Sequence, residues 1–143
     1  MANPGDLAVA SDVVGDWATY TPTYAGITAG NAVVTARYVQ VQNLVHVRFR
    51  LVAGTTTSFS ATTLTVSVPV AVAADYAVGD AIGAGYALDN SAGSASRTRL
   101  AALLSPSAVF FLSGEATGTV TNLVPWTWAT SDVLSFTATY ESV

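Results

Sequence analysis

Residues able to move protons, hold metals or attack a substrate are few and scattered in this sequence. His46 is the single histidine. A Ser–His–Asp arrangement would have to use it. It sits between Val45 and Val47, on the same alternating side as Arg48 and Arg50. Neither G-x-S-x-G nor H-E-x-x-H occurs. A solvated or interface histidine accounts for His46 equally well. The carboxylates are Asp6, Asp12, Asp16, Asp75, Asp80, Asp89, Asp132, Glu115 and Glu141. Glycoside hydrolysis needs two of them facing one another across a cleft. Asp75 and Asp80 instead flank Ala77-Val78-Gly79, where side-chain hydrogen bonds to backbone stabilise a turn. No D-x-D-x-D-G loop offers the six to eight oxygens calcium takes. Without cysteine there is no thiolate ligand, thiol nucleophile or disulfide. The expectation is no catalytic residue, no metal and no cofactor.

Two other groupings point to binding. Arg48 and Arg50 alternate with apolar residues, so on a strand they form a row with His46. Such a row pairs with acidic residues of a neighbouring strand or subunit, or stays in water as a solvated face. Aromatics gather at Trp17, Tyr20 and Tyr24, and again at Trp126 and Trp128. On an extended chain Trp126 and Trp128 face one way. Paired rings of this kind stack on a sugar, anchor an interface or plug the end of a core. Trp17, Tyr24, Trp126 and Trp128 are therefore the candidate ligand or interface aromatics.

Positioning these side chains falls to β-strands. Val45, Val47, Phe49 and Leu51 alternate with His46, Arg48 and Arg50, the pattern of a half-buried strand over 44–51. Leu134, Phe136, Ala138 and Tyr140 alternate with Ser135, Thr137, Thr139 and Glu141 in the same way. Leu64, Val66 and Val68 do so until Pro69 ends the run. Residues 33–40 make another strand, joined to the next by a turn at Gln42-Asn43. Further strands are expected over 17–24, 81–88, 97–104 and 107–113. Loops are expected over 54–58, 89–94 and 114–132. About eight strands with frequent turns predict an antiparallel β-sandwich, jelly-roll-like in style. Residues 1–16 read as an N-terminal arm, with a helical turn after Ser11 or Asp12, or as a frayed end. Residues 17–143 form the β domain.

Composition narrows the class of function. The chain has 143 residues, enough for one domain with one core. Only 10% are charged and 51% are hydrophobic, whereas an ordinary soluble domain carries about 25% charged residues. Part of the surface is then covered by Thr, Ser, Ala and Gly, or by another subunit. All five cations are arginine (37, 48, 50, 97 and 99), and the net charge is −4. That balance lacks the footprint of a nucleic-acid or anionic-lipid binder. Val66 to Val78 is broken by Pro69 and Asp75 and is too short to span a bilayer. The first residues lack the basic and apolar regions of a secretory signal, so synthesis without secretion is expected.

With these residues placed, the chain resembles the β domains of virion proteins of tailed phages, especially those of actinobacterial hosts. The resemblance rests on Trp17-x-x-Tyr20-Thr21-Pro22-Thr23, Arg37-Tyr38, Val45-x-Val47-Arg48-Phe49-x-Leu51 and Val68-Pro69-Val70-Ala71. It continues in Trp128-Ala129-x-x-Asp132-x-Leu134-Ser135-Phe136 and Thr139-Tyr140-Glu141. It runs from about residue 17 to 141. Gln42 stands where such a first hairpin turn usually has glycine. The resemblance implies a virion-surface location, frequent trimers and no catalytic residues.

A body preceded by a 16-residue leader leads to the expectation of a homotrimeric capsid decoration protein, partnered by the major capsid protein or by tail proteins. The interface would draw on Asp6, Leu7 and Val9 of the arm and on His46, Arg48 and Arg50. The alternative is a tail-fibre or minor-tail tip that binds host glycan through Trp126 and Trp128. A cell-wall hydrolase is the third reading, poorly served by one histidine and sparse carboxylates.

Overall fold

The computed structural model describes residues 15–92, 96–114 and 118–143. Among them it contains strands and no helix. In chain order these are β1 (Ala18–Thr19), β2 (Tyr24–Ala25), β3 (Ile27–Thr28), β4 (Val33–Val41), β5 (Leu44–Val52) and β6 (Ser58–Phe59). They continue with β7 (Thr65–Ser67), β8 (Ala81–Asp89), β9 (Ser96–Ser105), β10 (Ala108–Ser113) and β11 (Val133–Glu141). Nine of them make one curled sheet in the order β1-β4-β5-β11-β8-β9-β10-β7-β2. β3 and β6 pair separately. Every pairing is antiparallel. The protein is all-β and sandwich-like.

The alternation read from the sequence sets which side of the sheet is dry. On β5, Val45, Val47, Phe49 and Leu51 are buried, while Arg48 and Arg50 are exposed. On its neighbour β11, Leu134, Phe136, Ala138 and Tyr140 are buried, while Thr137, Thr139 and Glu141 are exposed. Their register sets Phe49 beside Phe136 and Val47 beside Ala138. A one-residue slip would turn both apolar rows to water, so this register is strongly specified. The β4–β5 hairpin turns through Gln42 and Asn43, with Val41 opposite Leu44. Gln42 takes a φ of 52°, a left-handed conformation that favours glycine. The Gln40 amide donates to the Gln42 carbonyl at 2.9 Å and braces the turn.

The sheet curls until its two ends nearly meet. β1 lies on the β4 end and β2 on the β7 end, yet only residues 20–23 separate them in the chain. The Tyr20 amide donates to the Ala36 carbonyl of β4 at 3.1 Å, and the Ser67 amide of β7 donates to the Thr23 carbonyl at 2.9 Å. Four extended residues reach at most about 11 Å from first to last Cα. That distance is close to the roughly 10 Å between packed sheets. Residues 20–23 are thus a strap across the thickness of a two-layered core. Rings from the far end of the strand order confirm the layering. Phe111 of β10 lies 5.2 Å from Phe136, and Tyr24 of β2 lies 6.4 Å from Phe49.

The expected single strand over 17–24 is instead two strands of two residues each, at opposite ends of the sheet. Pro22 sits between them, has no N–H to donate, and fixes its own φ. The expected eight strands become eleven because β1, β2, β3 and β6 are two-residue pieces without periodicity. Of the arm over 1–16, only Gly15 and Asp16 are among the described residues. Asp6, Leu7, Val9 and the turn after Ser11 or Asp12 lie outside them.

Candidate functional site

The outward face of the sheet gathers the positive charge of the described residues. Outward positions on β4 are Val33, Thr35, Arg37, Val39 and Val41. Facing them on β5 are Val52, Arg50, Arg48, His46 and Leu44. On β11 the row continues through Ser135 beside Arg50, Thr137 beside Arg48 and Thr139 beside His46. Tyr86 of β8 follows beside Ser135, and Arg99 of β9 beside Tyr86. Arg97 lies two residues along from Arg99, opposite Leu88. All five arginines of the chain therefore project from one face. None of them forms an ion pair with a carboxylate among the described residues.

Trp17 organises one end of this face. Extending the β1–β4 register by one residue brings Trp17 beside Val39, whose partner on β5 is His46. The Trp17 and His46 rings meet edge to face at 5.8 Å. The guanidinium of Arg37 lies 6.0 Å from the Trp17 ring centre, and that of Arg48 lies 5.8 Å away. Arg37 also donates from Nη2 to the Trp17 carbonyl at 3.0 Å. His46 shares a hydrogen bond of 2.8 Å between its Nδ1 and the Thr139 hydroxyl. Arg37 and Arg48 are direct cross-strand neighbours. Like charges opposite one another destabilise a sheet. One indole between two cations offsets part of that, since an exposed cation–π contact contributes about 0.5–1 kcal/mol. The Arg37 Nε is buried with no acceptor. At the other end an open hollow of about 610 Å³ is lined by Tyr86, Arg97, Thr98, Arg99 and Gly114.

The sequence brought His46, Arg48 and Arg50 together correctly, and Trp17 joins them. It missed Arg37 as their companion, although alternate outward positions from Val33 to Val41 carry the signal. The other candidate aromatics lie elsewhere. Tyr24 points inward onto Phe49, and burial raises its phenol above the ordinary range. Trp128 is 7% exposed, stacks on Phe59 at 5.0 Å, and donates from its indole to the Thr121 carbonyl at 2.9 Å. Trp126 packs against the core with its ring 5.9 Å from Trp128, and its indole N–H is buried without an acceptor. The two tryptophans do not make an exposed platform. Their segment is not a strand, so a spacing of two does not set a common outward face.

Three of the described carboxylates, Asp80, Asp89 and Asp132, serve turns. Of the two carboxylates expected to brace the 75–80 turn, Asp80 does so, accepting from the Ala77 amide at 2.9 Å, and Asp75 makes no such bond among the described residues. Asp89 accepts from the Ser91 hydroxyl and the Ala92 amide. Asp132 is fully buried and accepts from the amides of Asn90, Ser91 and Ala129. No group of three or more His, Asp or Glu able to hold a metal exists among the described residues. No described helix is long and apolar enough to cross a membrane. What the face can do chemically is take up negative charge and apolar side chains together. No family model, no curated protein and no solved structure matches this chain.

Proposed function

We propose that this chain is a non-enzymatic structural protein of a tailed-phage particle, a homotrimeric decoration protein seated on the capsid surface. The observation that carries the reading is the outward face of β4 and β5. In a chain with 10% charged residues, that face exposes Trp17, Val33 and Leu44 at 44, 67 and 56%. Large side chains gathered on one face of a charge-poor domain mark a surface meant to be covered. Covering apolar surface contributes roughly 25 cal/mol per Å² before association costs are subtracted. Many copies on a lattice would add avidity to a modest single contact.

The charge of the face argues against a two-fold pair built on it, which would set arginine against arginine. A ring closed through other surfaces leaves this face free to dock on the shell. The burial of Trp128 supports docking over the glycan-binding alternative. Light scattering of the purified chain tests the trimer: a mass near three chains is expected, and a monomer at all concentrations overturns it. Deleting residues 1–16 and measuring occupancy on particles tests the arm as a tether, with reduced occupancy expected.

A further inference from the structure

Resting on that reading of the outward face, we propose that its occupant is an acidic protein segment, an extended run bearing Asp or Glu at alternate positions, laid along β5. Three observations converge on this chemistry. The face collects all five cations of a chain whose net charge is −4. Among the described residues none of these cations has a carboxylate partner. Arg37 and Arg48 stand directly opposite one another, a repulsion that an incoming carboxylate between them relieves.

Spacing selects the form of the partner. Arg48 and Arg50 are two residues apart on a strand, roughly 6.6–6.8 Å along its axis. Alternate side chains of another extended segment repeat at the same interval, so carboxylates two apart meet both guanidinium groups in step. Guanidinium forks bind carboxylates through paired N–H···O bonds, and every cation here is arginine. Val33 and Leu44, exposed at the two ends of the rows, fit apolar side chains flanking an acidic run. A nucleic acid also carries repeated negative charge. It would find no use for these apolar ends, and the net negative charge of the body opposes its approach.

Binding of a fluorescein-labelled twelve-residue peptide of alternating Glu and Val to the full chain, by anisotropy, tests this. Saturable binding is expected, weakened at least tenfold between 50 and 200 mM NaCl and at least tenfold in the Arg48→Gln/Arg50→Gln double variant. The Arg48→Lys/Arg50→Lys variant keeps the charge but not the paired donors, controls for folding, and is expected to bind more weakly than the native chain and more tightly than the Gln variant. A labelled single-stranded DNA twelve-mer is expected to bind more weakly than the peptide. Equal peptide binding by the Gln variant, equal loss in the Lys variant, or tighter binding of DNA overturns the proposal. Salt-sensitive self-association without peptide, abolished by the Gln variant, would identify a second copy as the occupant and overturn it too. The trimer and particle measurements are independent of this result. Failure of peptide binding with occupancy intact refutes the acidic partner alone, and the converse refutes the virion role alone.

Discussion

Two tryptophan clusters occupy this small molecule, and they have opposite fates. Around Trp128 the indole is closed in by Phe59 and Trp126, and its N–H is satisfied by the Thr121 carbonyl. Around Trp17 the indole is 44% exposed and is held by an imidazole and two guanidinium groups. The first cluster is surrounded by groups that lose by meeting water. The second is surrounded by polar and charged groups at the sheet surface, Arg48 exposed and Arg37 and His46 half-buried. Residue type does not distinguish a core anchor from a surface ring; the company it keeps does.

The sharpest way to break the comparison is to truncate each ring. Trp128→Ala removes a buried indole, its stacking and its hydrogen bond, and should lower unfolding stability by about 3–5 kcal/mol. Thermal and denaturant melts check it, and a loss under about 1 kcal/mol would mean the cluster is not part of the core. Next in size is Asp132→Ala. It leaves the amides of Asn90, Ser91 and Ala129 without their acceptor and should cost roughly 2–3 kcal/mol. Loss of hydrogen-exchange protection at those three amides would locate the effect.

The closed side of the sheet also carries a pH signature. Burial pushes the Tyr140 phenol up to about 12 from 10.0, because the phenolate would lose its water. The folded value lies above the unfolded one. Stability is therefore fully present below about pH 10 and is lost as pH rises toward 12. Tyr140→Phe should make that alkaline limb shallower, at the cost of the hydroxyl's hydrogen bond to the Val70 carbonyl, while the phenols of Tyr20 and Tyr24, also pushed up by burial, keep the rest of it. Denaturant melts from pH 8 to 11.5 measure it. The smallest effect on stability is expected from Trp17→Ala, under about 1 kcal/mol. If that variant unfolds as readily as Trp128→Ala, the two clusters are alike after all and Trp17 is structural.

Legibility from the sequence followed periodicity. β5 and β11 could be read residue by residue because Val45 to Leu51 and Leu134 to Tyr140 alternate without a break. The row of His46, Arg48 and Arg50 came with them. The burial of Trp128 and Asp132 was hidden because irregular backbone, unlike a strand, has no repeat to reveal which side faces inward. The strap was hidden for a different reason. β1 and β2 have two residues each, and their partners β4 and β7 are far along the chain. Arg37 fell between these cases: its strand was legible, but the register that sets it against Arg48 is a property of two strands.

The strap over residues 20–23 has one further effect. An open sheet ends in rows of unsatisfied amides and carbonyls onto which another chain can zip. Here the two terminal ladders are capped by two-residue strands that belong to one short, proline-bearing link. Over the rungs they cover, a second copy finds no free ladder to extend. Contacts made broadside, through side chains, can be undone without unravelling either molecule.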